Sequence, residues 1–160
     1  MKGFSSPSQL IRPTPGEIVF FGEDVPAPRT GTWSIAVPIE PFSADDEYSM
    51  EWRAGTEGPY VVSTQIRLEF IEVAADDLSG LVNRAFQFPV NPADGYIDGS
   101  IYLCGSHNPV DVTAIEFGPA AVNSIRATFV AKFDFQFELK DVPNFDLTFS
   151  ADLIFRRGRE

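Results

Sequence analysis

The amino-acid sequence predicts an all-β protein, namely a single-domain antiparallel β-sandwich of about nine strands with at most one short helix. A small β-barrel is the alternative. Two observations predict this fold class. Proline (13 residues) and glycine (12 residues) divide the first two-thirds of the chain into short segments rich in β-branched and aromatic residues, as is typical of antiparallel sheets. Apolar and polar residues also alternate along several segments, which is the pattern of a strand with one buried face.

The chain length indicates one domain, because 160 residues can bury a hydrophobic core of their own. Residues 1–15 contain Pro7, Pro13 and Pro15 and show little apolar periodicity, so we expect an extended N-terminal arm there. Residues 16–160 then form the single β domain.

The individual elements follow from the alternation in chain order. The expected strands are Glu17–Phe21, Thr32–Ile39, Tyr48–Trp52, residues 60–73, Ala85–Val90, Tyr96–Cys104 and Asp111–Phe117. Within residues 60–73 the apolar positions change parity, which predicts a β-bulge near Phe70 and Ile71. Asp76 and Asp77 precede apolar residues at helical spacing, so we expect a short helix with an aspartate cap after them.

The last third of the chain carries the most regular alternation. Every odd position from 125 to 139 is apolar, and the same parity resumes from 145 to 155 after a short connection. Two strands in phase around a short connection predict a β-hairpin. Pairing Leu139 with Phe145 alternates large and small side chains across the inner face, so we expect that register. A strand of this length would span about 50 Å, which exceeds the diameter of a compact domain of this size. It therefore has to bend, wrap around the core or extend beyond it.

The same register has two consequences on the outer face of the hairpin. It places Lys132 opposite Asp152, which is a favourable pair of charges. It also places Val130 opposite Ile154. An apolar pair on an otherwise polar face is either covered by a loop or marks a contact patch, so these two residues are the candidate interaction site.

The charge balance limits the kinds of partner. The chain has 23 Asp and Glu against 12 Lys and Arg, a formal net charge of −11. Nucleic acids and anionic membranes bind cationic surfaces, so neither is expected as a partner, whereas a protein with a basic surface is. Cys104 is the only cysteine, which excludes an internal disulfide and fits the cytoplasm. No apolar run has the length of a signal peptide or membrane helix, so we expect a soluble cytoplasmic protein of undetermined oligomeric state.

Candidate catalytic residues are few. Cys104 and His107 are the only cysteine and histidine, so any thiol–imidazole or Ser-His-acid mechanism would use His107. The simpler interpretation is a turn between two strands. Asp111 or Glu116 could join these two residues at a metal, but the paired Cys and His spacings of zinc sites are missing. We therefore expect no metal and no cofactor.

Two further motifs give little support for catalysis. Residues 90–101 resemble part of an EF-hand loop, but Val90 and Ile101 occupy the ligand positions at its two ends and are apolar. Paired carboxylates would suit glycoside chemistry, yet most of the available acids fall on the predicted solvent face. These acids are Glu51, Glu69, Glu72, Glu116, Asp134 and Asp152.

The sequence therefore predicts a non-enzymatic protein that acts through protein–protein contacts, such as an accessory or inhibitor-like module. One alternative is a carrier, because a Phe-rich face in a barrel could line an apolar cavity for a small molecule. That face comprises Phe129, Phe133, Phe135, Phe137, Phe145, Phe149 and Phe155. The other alternative is a hydrolase that uses His107 or a carboxylate pair.

Overall fold

The structure is a computed structural model that describes residues 7–44, 60–103, 106–138 and 142–159. Its strands are β1 (Gly16–Phe20), β2 (Trp33–Pro38), β3 (Phe42–Ala44), β4 (Tyr60–Val62), β5 (Gln65–Ile71), β6 (Ala85–Gln87), β7 (Asp98–Leu103), β8 (Ser106–Ala120), β9 (Ser124–Phe133) and β10 (Phe145–Arg157). Single 3-10 turns lie at Pro7–Leu10 and Leu78–Gly80. The described part of the chain has no helix with the length and apolarity that crossing a bilayer would require.

Seven strands close into a barrel, in the order β8, β7, β5, β2, β1, β10 and β9, with β9 pairing back to β8. The extra strand β6 pairs with β8 outside this ring, and β3 and β4 form a separate two-stranded sheet. The barrel is mixed, because β1 runs parallel to β10 while the other neighbours are antiparallel. The all-β class is confirmed. The antiparallel sandwich is wrong, and the barrel that stood as the alternative is the observed architecture.

The 15-residue strand β8 makes the closure possible. One of its edges pairs with β7 up to Pro109 and farther along with β6, while its other edge pairs with β9 from Val110 onward. Pro109 therefore lies where the strand has a single partner, which suits a residue that lacks an N–H donor. Register irregularities at Val112/Ala114 and Phe117/Ala120 curve the strand. The long bent strand is thus β8 and not the predicted strand at residues 125–139.

Most other strands lie close to their predicted positions. Residues 60–73 divide into β4 and β5, and the expected strand at Tyr48–Trp52 lies outside the described residues. The predicted bulge is confirmed. Trp33 pairs with Ile71 and Ile35 with Leu68, so β5 contains one residue more than β2 between these pairs, and Phe70 there has a φ of 57°.

The segment after Asp76 forms one 3-10 turn, so the predicted helix is wrong, while its aspartate cap is confirmed. The Asp77 carboxylate accepts a hydrogen bond from the Gly80 N–H at 3.2 Å. Hydrogen bonds from the Ser79 hydroxyl and from the backbone N–H of Gly80 hold the pKa of Asp77 below its ordinary value. The turn stops at Asn83, which has a φ of 56° and donates its N–H to the Gly118 carbonyl at 3.2 Å. This bond to β8 replaces a further helical turn.

β9 and β10 form the predicted hairpin, but the predicted register is wrong. Phe145 pairs with Phe133 instead of Leu139. β9 ends at Phe133. The next residue, Asp134, still donates its N–H to the Pro109 carbonyl at 3.0 Å, in the register of β9 with β8. The connection is therefore longer than expected. The observed register differs from the predicted one by an even number of residues. The same side chains of each strand therefore still face the core.

Side chains fill the barrel interior. The ring centroids of Phe133 and Phe145 lie 4.8 Å apart, and those of Phe129 and Phe149 lie 4.9 Å apart. Phe137 departs from the pattern, because it follows the end of β9 and is 71% exposed. Its predicted inward orientation is wrong.

Two other segments cover the barrel. The Trp33 Nε1–H donates to the Ala75 carbonyl at 2.9 Å, which ties β2 to the segment before the second 3-10 turn. In the N-terminal segment Ile11 is buried, and the Thr14 N–H donates to the Pro38 carbonyl at 2.8 Å. Residues 7–15 therefore contact the barrel through both side chains and backbone.

Candidate functional site

A groove crosses the outer face of the barrel where β5, β7 and the start of β8 lie side by side. We call it the Tyr102 groove. Its volume is about 500 Å³, and it is lined by Pro38, Ser63, Thr64, Gln65, Arg67, Ser100, Tyr102 and His107. Alternation along the strands explains this lining, because Ile66 and Ile101 point into the core and their neighbours in sequence point outward.

Tyr102 presents the largest apolar surface in the groove. It is 61% exposed, and it pairs with His107 across β7 and β8. The Thr64 hydroxyl donates to the Tyr102 carbonyl at 2.6 Å, which fixes the backbone of β7 beside the segment between β4 and β5. The aromatic side chain therefore projects from a backbone position that a hydrogen bond fixes. Exposed tyrosines are frequent in protein binding sites.

Arg67 belongs to a charged triplet at the edge of the groove. Its Nη2 lies 3.0 Å from Glu69 Oε1, and the other oxygen of Glu69 lies 3.6 Å from Arg29 Nη1. Arg29 also lies over the rings of Phe21 and Phe70, at 5.1 and 5.9 Å from their centroids. One carboxylate is thus shared by two guanidinium groups, so the triplet keeps one net positive charge.

The structure places His107 in the Tyr102 groove, on the exposed side of β8. Cys104, its proposed companion, lies outside the described residues. A Ser-His-acid triad needs a carboxylate beside the imidazole, and the groove lining supplies hydroxyl, amide and guanidinium groups instead. Within the described ranges, no group of three or more His, Cys, Asp or Glu residues is placed to hold a metal ion.

A second outer surface lies farther along β8, and we call it the acidic face. It comprises Asp111, Asp134 and Asp146 around Lys132, which pairs with Asp111 on β8 and with Asp146 on β10. Burial, followed by the negative charge of Asp134, raises the pKa of Asp111, although Lys132 opposes the effect. Ionisation of Asp111 is therefore less favourable in the folded protein than in water.

Val130 and Ile154, the predicted contact pair, do not face each other. Val130 pairs with Thr148 and Ile154 with Ser124, because of the different register. Both side chains are exposed, but at separate positions along the outer face. The apolar pair expected from the sequence is therefore not formed.

Sequence reasoning did not identify Arg67, Tyr102 or the acidic face as a site. Alternation does assign Tyr102 and Ser100 to the outer face of one strand. Their neighbours, however, come from β5 and β8, and that pairing order is a property of the barrel topology. No local signal in the sequence connects residue 67 with residue 107.

Comparisons with protein-family models, with curated proteins and with solved structures gave no match to this chain.

Proposed function

We propose that this protein is a non-enzymatic binding module that acts by contacting a partner protein with a basic surface. The observation that carries the proposal is the acidic face, where Asp111, Asp134 and Asp146 surround a single lysine. Burial, followed by repulsion from Asp134, raises the pKa of Asp111, so the ionised form of Asp111 costs free energy in the free protein. A cationic partner would relieve that repulsion on binding, and the net charge of −11 would speed the encounter.

The neighbourhood of the acidic face supports a protein partner. His107 and Asp111 lie on the same side of β8, so the Tyr102 groove and the acidic face are continuous. Tyrosine and arginine contribute strongly to protein interfaces, and charged residues commonly surround such a centre. The surface that runs from the exposed Tyr102 and Arg67 to the acidic face has this composition.

The alternative functions find less support. Phenylalanines of the Phe-rich face, which would line a carrier's cavity, pack against one another. Neither the Tyr102 groove nor a second hollow, around Thr30 and Glu72, is lined by a phenylalanine of the Phe-rich face. For the hydrolase, the groove provides His107 without an adjacent carboxylate among its lining residues.

The proposal is tested by capturing partners from the lysate of the source organism at low and high salt. The double variant Asp111→Asn/Asp146→Asn removes two charges from the acidic face. We expect it to bind the captured partner about tenfold more weakly than the native protein at low salt, and to show a smaller salt dependence.

Asp152→Asn is the matched control, because Asp152 is also exposed on β10 but pairs with Arg126. This variant should retain native affinity. Two results would overturn the proposal: a partner whose affinity is the same for the double variant and the native protein, or captured partners that are all acidic.

A further inference from the structure

We infer that the Tyr102 groove is a binding site for a singly charged carboxylate attached to an apolar group. Arg67 pairs with the carboxylate, and Tyr102 contacts the apolar group. This site adjoins the acidic face but takes a ligand of opposite charge, so it extends beyond the proposed function.

The charge of the groove favours an anion. The chain has 23 Asp and Glu, yet none of them is among the residues that line the groove. Arg67 and Arg29 share the carboxylate of Glu69, and Asp98 pairs with Glu69 across β5 and β7, so the surroundings of the groove keep no net positive charge. Within the groove, Arg67 is the only Lys or Arg among the lining residues, and a monoanion matches its single charge. A phosphate dianion would exceed it on a protein that already carries a net charge of −11.

The geometry of Arg67 also suits a carboxylate. One side of its guanidinium group is used by Glu69, at 3.0 Å, and its side chain is 55% exposed. The remaining N–H donors form the planar fork that binds a carboxylate through two parallel hydrogen bonds. Ser100 is the cross-strand partner of Arg67 on β7 and is buried, and its hydroxyl-bearing side chain also lines the groove.

The position of Tyr102 sets the shape of the ligand. Tyr102 follows Ser100 by two residues on the same face of β7, so it is the diagonal neighbour of Arg67 across the strand pair. Diagonal neighbours lie about 7–8 Å apart. Both side chains line the groove, so the apolar group of a carboxylate bound at Arg67 shares this surface with the exposed ring, where offset or edge contacts between rings are favourable.

The test is an NMR titration of the ¹⁵N-labelled protein with benzoate, with benzyl alcohol and with inorganic phosphate. Benzoate has the required charge and ring, benzyl alcohol lacks the charge, and phosphate lacks the ring. We expect benzoate to shift the amide resonances of Arg67, Ser100 and Tyr102, and the other two compounds to cause much smaller shifts at these positions.

Arg67→Gln should raise the benzoate Kd by about tenfold or more, because a charged hydrogen-bonded pair is lost. Tyr102→Ala should weaken benzoate binding to a smaller extent. The matched control is Arg126→Gln, since Arg126 is also 55% exposed and also pairs with a carboxylate, at 3.2 Å, but lies on β9 outside the groove. This variant should bind benzoate like the native protein.

Several results would overturn the inference: no shifts in the groove, an unchanged benzoate Kd in Arg67→Gln, or phosphate binding as tightly as benzoate. The titration involves no partner protein, so its failure leaves the proposed contact of the acidic face unaffected. If Arg67→Gln does not fold, the shift map and the Tyr102→Ala variant still decide the matter.

Discussion

Gly99 occupies a position in β7 where the neighbouring backbone leaves no room for a side chain. A Cβ atom added there would overlap the Val110 carbonyl oxygen and lie 3.1 Å from Leu68 Cδ2. Both obstacles belong to the barrel wall or its core, so neither can move freely. The close approach of β7 to β8 at this point therefore depends on the absence of a side chain.

We expect Gly99→Ala to destabilise the protein by about 2–3 kcal/mol, because the methyl group forces the two strands apart. Urea unfolding followed by tryptophan fluorescence measures this change. Gly118→Ala is the matched control in β8, since its nearest obstacle lies at 3.7 Å and a methyl group fits there. Equal stability of the two variants would contradict the packing described for β7.

At the level of single residues, alternation predicts which face a side chain takes only while the strand continues. Phe133 and Phe137 share parity, but β9 ends at Phe133, so Phe133 is buried and Phe137 is exposed. Asn108 is a second residue whose position the sequence does not predict. Its sequence neighbourhood suggests a turn, yet it is buried in β8 and its Nδ2 donates to the Ser106 carbonyl at 3.0 Å. Such a role depends on three-dimensional neighbours that the sequence does not show.

At the level of elements, the register of β9 and β10 is fixed by contacts on both of their faces. On the inner face Phe133 stacks on Phe145. On the outer face the hydroxyl groups of Thr128 and Ser150 lie 2.7 Å apart, and Arg126 pairs with Asp152. These three contacts form only in the observed register, in which Phe145 pairs with Phe133. The alternation of large and small residues favoured a different register, in which Phe145 pairs with Leu139.

We expect Thr128→Cys/Ser150→Cys, made in a Cys104→Ser background, to form a disulfide on mild oxidation, because the two residues are direct cross-strand partners. Val130→Cys/Ile154→Cys in the same background should remain reduced, since those residues pair with Thr148 and Ser124 instead. Intact-mass measurement after thiol alkylation distinguishes the two states. The reverse outcome would support the register predicted from the sequence.

The positions of most elements follow from the sequence, because alternation and turn residues act locally. The bulge at Phe70 is an example, since an extra residue changes the parity of every residue after it. The register of β9 and β10 was not predictable in this way. It depends on cross-strand contacts such as that of Phe133 with Phe145, and alternation is the same in every register that differs by an even number of residues.

At the level of the whole molecule, the net charge of −11 opposes the compact state. Asp111 adds a local cost, because it is partly buried. The pKa of Asp111 is raised from its ordinary value of 3.8 by burial and by the charge of Asp134. Between the ordinary and the raised pKa, the folded state binds more protons than the unfolded state. Stability therefore falls as the pH rises through that interval, and the loss persists at neutral pH.

We expect Asp111→Asn to raise the urea midpoint at pH 7, because the amide carries no charge to desolvate or repel. The difference from the native protein should shrink as the pH falls through the raised pKa of Asp111, where the native carboxyl becomes neutral too. Urea unfolding over a series of pH values checks this. Asp152→Asn should give no such gain, since its carboxylate pairs with Arg126. A lower midpoint for Asp111→Asn at pH 7 would contradict this account of the acidic face.

The overall architecture was only partly predictable. Short alternating strands are typical of sandwiches and barrels alike. The choice between these folds depends on whether the two edge strands of the sheet pair with each other. Here β8 pairs with β9 while β1 joins β10 in parallel, so the ring closes. β8 and β9 follow each other in the chain. The residues that pair between β1 and β10, in contrast, lie far apart in the sequence, and composition gives no sign of their contact. The Tyr102 groove was unpredictable for the same reason.

Closure of the ring also affects how copies of this protein behave when crowded together. Each of its seven strands has a neighbour along both edges, which leaves little unpaired backbone on which a second molecule could build a sheet. The extra strand β6 is three residues long and is followed closely by Pro89, so it offers a poor template. A concentrated solution should therefore resist fibril formation for as long as the ring stays closed.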